Sequence, residues 1–147
     1  GDFVQFADVT ATVKAIGVFV TTIDTPDGVQ THVGNGKILS SNMQNFTANP
    51  VRRVDLTAQL HYSVNVEDAI SRLKAKLAEI PNVAKDPAPD VEILTFTEFG
   101  PVLAVRPYTH TDHYWQVYFS GNKAIVAVAG GAQFPPVERN VRMKSPA

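Results

Sequence analysis

One stretch, residues 66–80, restricts the fold of this chain more than any other part of the sequence. Asn65 stands where a helix cap is expected, and Glu67 and Asp68 fall in the first turn, where the helix dipole favours negative charge. Pro81 ends the pattern because proline cannot continue a helix. The sequence therefore predicts an amphipathic helix over residues 66–80, with an apolar stripe at helical spacing formed by Ala69, Ile70, Leu73, Leu77 and Ile80.

Strand patterns lie on both sides of this helix. After it, an extended proline-rich connection leads into a predicted strand at 91–97, and a turn at 99–101 leads into another at 102–107. Before it, residues 53–64 predict one long strand, with one face formed by Val54, Leu56, Ala58, Leu60 and Tyr62. The predicted order is β-α-β-β.

Residues 112–130 fit two structures. Strand formers at 114–119 and 124–129, around a turn at Ser120-Gly121-Asn122, favour a hairpin. The alternative is a helix capped by Asp112. We predict the helix, since β-α-β-β-α-β is a recurring ferredoxin-like unit and a hairpin would leave the sheet uncovered. One face of this helix would be lined by Tyr114, Val117, Tyr118, Ile125 and Val128.

The first third of the chain predicts a small β-sheet. Residues 9–16 alternate with a period of two, 18–23 continue as strand, and Thr25-Pro26-Asp27-Gly28 supplies a turn before a returning strand at 29–33. Residues 38–43 fit either one helical turn or a short edge strand. A module boundary is predicted near residues 48–51, where a polar stretch meets Pro50.

Charge, cysteine content and apolar length exclude several classes of protein. The formal charge is −1, which leaves no positive excess for binding a polyanion. The chain contains no cysteine, which excludes a disulfide scaffold and a thiol nucleophile. Its longest apolar stretch, residues 124–132, is far shorter than the roughly 20 residues that span a membrane. We expect the chain to be a soluble piece of a longer protein.

Two local motifs suggest chemistry, and neither predicts an enzyme. The sequence His110-x-Asp112-His113 could bind zinc, but a further ligand would be needed, so a surface loop is the favoured interpretation. The sequence Gly34-x-Gly36-Lys37 lacks the remaining glycine spacing of a phosphate-binding loop, so we interpret it as a tight turn. No catalytic residue, metal or cofactor is predicted.

An ordered series of short motifs in the first third resembles the β-domain of small-conductance mechanosensitive (MscS) channels. The series is Gly1-Asp2, Ala15-Ile16, Thr21-Thr22, Asp27-Gly28, Gly34-Asn35-Gly36-Lys37-Ile38, Asn42, Asn45-Phe46 and Pro50-Val51-Arg52-Arg53. The rest of the chain is similar to the α/β-domain of the family, including the Phe134-Pro135-Pro136 that precedes a short last strand. Family members usually carry proline where this chain has Gly34, and the region around Gly121 is less helical than usual.

The resemblance implies an α+β chain of three parts. These are a small Sm-like β-domain at 1–50, a ferredoxin-like domain at 51–134, and a C-terminal strand and tail at 135–147. It also implies a heptamer on the cytoplasmic side of the inner membrane. Ions and small osmolytes would pass through side portals into a hollow vestibule, and the membrane would be reached only through transmembrane helices that this chain lacks. The fragment alone would conduct nothing, and no nucleic acid is expected as a partner.

The resemblance also suggests particular residues. Asn45, Asn49, Arg52 and Arg53 lie at the module boundary, where the family opens its portals; alternatively, the arginines pair with acidic groups at an interface or lie in solvent. Asn35, Gly36 and Lys37 form the family's turn motif. A lone C-terminal strand would be an exposed edge unless it pairs with its own copies in a closed barrel. The barrel candidates are Val137, Arg139, Val141 and Met143.

A rival interpretation is a soluble oligomeric module that binds RNA. Phe96, Phe99 and Tyr108 could stack on bases. The near-neutral charge and the lack of a run of basic and aromatic residues count against this function.

Overall fold

The computed structural model describes residues 1–136, and the chain divides into two units between Pro50 and Val51. The predicted C-terminal strand, with the barrel candidates Val137, Arg139, Val141 and Met143, lies outside the described residues. Within residues 1–136, no helix is both long and apolar enough to cross a membrane.

The first unit consists of five strands and one short helix, namely β1 (Phe3–Phe6), β2 (Val9–Ile16), β3 (Val20–Asp24), β4 (Gln30–Gly34), α1 (Asn35–Leu39) and β5 (Gln44–Asn45). The strands form an antiparallel sheet in the order β4-β3-β2-β1-β5. The buried core of the unit comes from β1 to β4 and from α1, and it consists of Val4, Phe6, Ala11, Ile23, Val33 and Ile38.

The strand predicted at residues 18–23 is partly wrong, because a tight turn occupies its start. The Gly17 amide donates to the Val20 carbonyl oxygen at 2.8 Å, so β2 ends at Ile16 and β3 begins at Val20. Val18 and Phe19 form the tip of this turn. For residues 38–43 the sequence predicts either a helical turn or a short edge strand. The structure has a helical turn, α1, which begins earlier than predicted, at Asn35, and ends at Leu39.

The second unit consists of β6 (Arg52–Arg53), β7 (Leu56–Gln59), α2 (Val66–Ala78), β8 (Asp90–Thr97), β9 (Gly100–Arg106), β10 (Tyr108–Thr109), a single 3-10 turn (Thr111–His113) and α3 (Tyr114–Gly131). The two helices pack on a three-stranded antiparallel sheet of order β7-β9-β8, and β6 pairs separately with β10. This β-α-β-β-α succession confirms the predicted α+β fold and its ferredoxin-like arrangement.

Helix α2 forms as its sequence predicts. The Asn65 side-chain oxygen accepts a hydrogen bond from the Asp68 amide at 3.0 Å, and the helix ends at Ala78, two residues before the predicted end. Ala69, Leu73 and Leu77 are its buried residues, since their spacing of four places them on one face. This face packs on the sheet and closes the core of the unit.

Helix α3 is continuous, so the hairpin alternative is wrong. Gly121 lies in the middle of the helix, where a Cβ atom would meet the Leu56 side chain; glycine therefore permits close packing rather than a turn. The expected inner face is confirmed, because Val117 is buried and Tyr114, Tyr118, Ile125 and Val128 pack against the same core.

Two further predictions are wrong in this unit. The long strand at 53–64 is interrupted: β6 pairs with β10, β7 pairs with β9, and pairing stops at Gln59. Tyr62 therefore does not join the buried face and is 62% exposed. Asp112 is also not the helix cap that the sequence predicts. Instead, His110 Nδ1 accepts a hydrogen bond from the Asp112 amide and caps the 3-10 turn that precedes α3.

Candidate functional site

The family motif residue Asn35 fixes the turn between β2 and β3. Its side-chain amide donates to the carbonyl oxygens of Gly17, at 2.9 Å, and Val18, at 3.1 Å. Its side-chain oxygen accepts from Thr21 Oγ1 at 2.7 Å, and its backbone amide donates to the Phe19 carbonyl oxygen at 2.8 Å. One residue thus satisfies the polar groups of a turn that is 14 to 18 residues away in sequence.

Lys37 and Gly36 take no part in this turn. Lys37 is exposed, and its carbonyl accepts from Ser40 Oγ at 3.1 Å. A Cβ atom on Gly36 would meet nothing within 4 Å, so the local packing does not demand glycine there. Of the three motif residues, Asn35 alone holds the β2–β3 turn.

The turn that Asn35 holds carries an exposed apolar surface. We call it the apolar tip, defined as Ile16, Val18, Phe19 and Val20. The side chains of Ile16, Val18 and Phe19 are each more than three-quarters exposed. A small unit seldom leaves such a continuous apolar group in water unless another surface covers it. The tip is therefore a candidate contact surface, and Asn35 is its positioning residue.

Asn35→Ala should loosen the apolar tip. The substitution removes three side-chain hydrogen bonds and leaves two carbonyl oxygens of the turn without their donor, which costs about 1–3 kcal/mol. Hydrogen exchange should accelerate about tenfold or more at the Gly17 amide, whose hydrogen bond to the Val20 carbonyl oxygen closes the turn. Asn42→Ala, at an exposed position, serves as the control and should change little. Equal exchange in both variants would contradict the positioning role.

The portal candidate Asn45 organises the end of the first unit. Its side-chain amide donates to Asp2 Oδ2 at 2.9 Å, and its side-chain oxygen accepts from the amides of Thr47 and Ala48 at 2.9 and 3.0 Å. These contacts tie the chain near its first residues to the segment after β5. Asn49 is exposed.

The two arginines of β6 have distinct surroundings. The Arg52 guanidinium lies 4.0 Å from the centroid of the Tyr114 ring, a cation–π contact. Arg53 donates from Nε to Asp55 Oδ1 at 2.7 Å, and this hydrogen bond raises the pKa of the Arg53 guanidinium above its usual value. Arg106 Nε lies 3.6 Å from the same Asp55 oxygen. Arg53 and Arg106 thus form a positive cluster around Asp55, and the Asp55 carboxylate neutralises part of their charge.

The remaining candidate sites are not assembled. Among residues 1–136, no group of three side chains of metal-ligating type is close enough to hold a metal ion. The aromatic residues of the RNA interpretation do not share one stacking surface either. Phe96 is exposed on β8, Phe99 is half-buried after it, and Tyr108 belongs to the separate β6–β10 pairing.

Both units match known family models. Residues 1–48 match the model described as "Mechanosensitive ion channel, beta-domain", and residues 54–129 match "Mechanosensitive ion channel MscS, C-terminal". The motif series in the first third of the chain anticipates this match. The apolar tip has no comparable signal in the sequence, because its four apolar residues around Gly17 are equally typical of a strand.

Relatives with similar sequences carry the same family name. A small-conductance mechanosensitive channel of Edwardsiella ictaluri is 27% identical over 142 residues, covering 94% of this chain and 50% of that protein. An uncharacterized MscS family protein of Buchnera aphidicola is 29% identical over 151 residues, covering 98% of this chain and 53% of that protein. The chain thus spans about half the length of these relatives.

Solved structures show the same fold. Helicobacter pylori MscS in its closed state superposes with a TM-score of 0.87 at 17% identity, covering 99% of this chain and 59% of that chain. Arabidopsis thaliana MSL1 gives a TM-score of 0.68 at 14% identity, covering 88% of this chain and 48% of that chain. The predicted family is confirmed: the chain belongs to the MscS family of mechanosensitive ion channels, and its two units are the family's β-domain and C-terminal domain.

Proposed function

We propose that this chain forms the cytosolic vestibule of a mechanosensitive ion channel. The succession of two channel-family domains, matched at residues 1–48 and 54–129, carries the proposal. Because the chain spans about half the length of its relatives, the membrane-spanning part would lie in the other half. In this role the chain is not an enzyme, binds no nucleic acid and conducts nothing by itself.

The vestibule would be a ring of identical copies on the cytoplasmic side of the inner membrane. The number seven follows from the family resemblance. The apolar tip supports an assembled state, since Val18 and Phe19 would otherwise remain in water. We propose that Val137, Arg139, Val141 and Met143 build a C-terminal barrel in this ring.

Ions and small osmolytes would enter through side portals lined by Asn45, Asn49, Arg52 and Arg53. Two observations support this role for the arginines: Arg52 and Arg53 follow directly after the division of the chain at Pro50 in sequence, and a single carboxylate, Asp55, faces both Arg53 and Arg106. Charged rings of this kind bias which ions approach a pore.

Reversal of both charges, Arg52→Glu with Arg53→Glu, should make the full-length channel favour cations. We expect the anion-to-cation permeability ratio to fall roughly twofold or more, since a unit charge acts on an ion 4 Å away with about 1 kcal/mol in water. Reversal potentials across a salt gradient measure this ratio. Lys74→Glu, on the exposed side of α2, is the matched control. An unchanged ratio in the double variant would remove the arginines from the portal.

The coding region upstream of Gly1 tests the function itself. We expect it to encode apolar stretches of about 20 residues, the length that spans a bilayer. Translation that starts near Gly1, without any such stretch, would contradict the channel function and favour the soluble binding module. RNA gel shifts at low salt would then be the next measurement.

A further inference from the structure

Asn35 and Gly36 form the single Asn-Gly pair of the sequence and begin helix α1. The fold needs these two residues unequally. Asn35 holds the β2–β3 turn through its side chain, whereas a Cβ atom on Gly36 would meet nothing within 4 Å. The φ angle of Gly36 is not positive either. Neither packing nor backbone conformation therefore requires glycine at position 36.

An asparagine that is followed by glycine is chemically labile. The Gly36 amide nitrogen attacks the Asn35 side-chain carbonyl carbon, Cγ; a C–N bond forms, the Cγ–Nδ2 bond breaks, and ammonia leaves with the proton of the Gly36 amide. Water then opens the succinimide ring at either carbonyl, which gives aspartate or isoaspartate. Glycine favours the attack because it has no side chain to hinder the nitrogen and leaves the backbone free to rotate.

In the closed turn, hydrogen bonds hold the Asn35 side chain away from this attack. Nδ2 donates to the carbonyl oxygens of Gly17 and Val18, and Oδ1 accepts from Thr21 Oγ1 at 2.7 Å. These contacts direct the side chain toward the β2–β3 turn, so Cγ does not rotate over the Gly36 nitrogen. Gly36 itself lies in the first turn of α1, where a backbone amide has no acceptor within the helix. The side-chain hydrogen bonds of Asn35 therefore guard the amide.

The product of deamidation does not restore the turn. An aspartate at position 35 has no donor for the carbonyl oxygens of Gly17 and Val18, and its carboxylate would place negative charge beside two acceptors that have lost their partner. Isoaspartate also adds a methylene carbon to the backbone at the start of α1. Both products favour the open turn, and this turn carries the apolar tip.

We propose that Asn35 is a deamidation site that is guarded by closure of the β2–β3 turn. The amide persists while the turn is closed, is converted when the turn opens, and the product keeps the turn open. Each molecule thus retains a covalent record of an opening of the apolar tip. The inference concerns the first unit alone and does not depend on the proposed channel function.

Mass spectrometry of proteolytic peptides, after incubation of the purified chain in mildly alkaline buffer, measures the conversion. In urea Asn35 should become a mixture of aspartate and isoaspartate, whereas the exposed Asn42, which precedes methionine, should keep its amide. In the folded chain the conversion of Asn35 should be slower by about tenfold or more, because it needs local opening. The expected native rate is the rate in urea multiplied by the open fraction of the turn, which hydrogen exchange of the Gly17 amide gives independently.

Two substitutions separate the guard from the chemistry. Thr21→Val removes the hydroxyl that donates to Asn35 Oδ1 and keeps a similar side-chain shape, so conversion in the folded chain should rise about threefold or more, with the rate in urea unchanged. Gly36→Ala adds a side chain beside the attacking nitrogen and should slow the conversion about tenfold or more in both conditions. Its far-ultraviolet circular dichroism should be unchanged, and its Gly17 amide should exchange no faster.

Asn35→Asp reproduces one product and tests its effect on the turn. Exchange of the Gly17 amide should accelerate about tenfold or more in this variant. Three outcomes would overturn the inference. An Asn35 amide that stays intact in urea would remove the site, and conversion that is equally fast in the folded chain and in urea would remove the guard. Unchanged Gly17 exchange in Asn35→Asp would remove the effect on the apolar tip.

Discussion

Gly100→Ala should destabilise the second unit by about 3 kcal/mol or more, since it combines backbone strain with a steric clash. Gly100 has a φ of +140°, which side-chain-bearing residues rarely adopt. A Cβ atom would lie 2.5 Å from the Leu60 carbonyl oxygen and 2.7 Å from the Tyr62 amide nitrogen. Both are backbone atoms that cannot rotate away, so β9 would have to move off the segment after β7.

Urea unfolding followed by Trp115 fluorescence measures this loss, because Trp115 is the chain's single tryptophan and lies in the second unit. Gly130→Ala is the matched control. A Cβ atom at Gly130 would meet nothing within 4 Å, and alanine in a helix should stabilise by up to about 1 kcal/mol. The two glycine replacements should therefore shift the midpoint in opposite directions. A loss below about 1 kcal/mol for Gly100→Ala would contradict the close approach of the two segments.

Leu77→Ala should cost about 2–5 kcal/mol, the range for deleting a large buried side chain. Leu77 is fully buried on α2 and belongs to the core that joins this helix to the sheet and to α3. The loss has two parts, the transfer of the removed methyl groups and the cavity that remains. A cavity between two helices and a sheet closes poorly, since three rigid elements would have to shift together.

The same unfolding measurement, at low protein concentration, gives this value. Leu94→Ala removes the same atoms from a half-exposed position on β8 and should cost less than about 1 kcal/mol. Comparable losses at the two positions would show that the inner face of α2 is not the centre of the core.

The helices were predictable because their signals are local. The cap Asn65, the spacing of Leu73 and Leu77, and Pro81 lie within one short stretch, so the predicted end of α2 differs from the observed end by only two residues. Helix α3 needed a global argument, because its own residues favour a hairpin. Packing explains the difference: Gly121, which resembles a turn residue, is required for contact with Leu56.

Features set by distant contacts were not predictable. The apolar tip is a turn because the Asn35 side chain binds the carbonyls of Gly17 and Val18, and no local pattern around residue 17 contains that information. Likewise, Tyr62 continues the alternation of β7 but is exposed, because the pairing of β7 with β9 ends at Gln59.

The candidate site was predicted in part. The motif series identified the family, and it singled out Asn35, whose positioning role only the hydrogen bonds reveal. The roles of Asn45, Asn49, Arg52 and Arg53 at portals stay predictions, since a portal belongs to an assembly and not to one chain. The contact of Arg52 with Tyr114 joins residues far apart in sequence, so spacing alone could not foresee it.

Patch-clamp recording of the full-length protein, in a membrane without other mechanosensitive channels, tests the central claim most directly. The proposed function predicts currents that appear when membrane tension rises and disappear when it is released. Protein that is present in the membrane at normal abundance, yet passes no current up to the tension at which the patch ruptures, would contradict it.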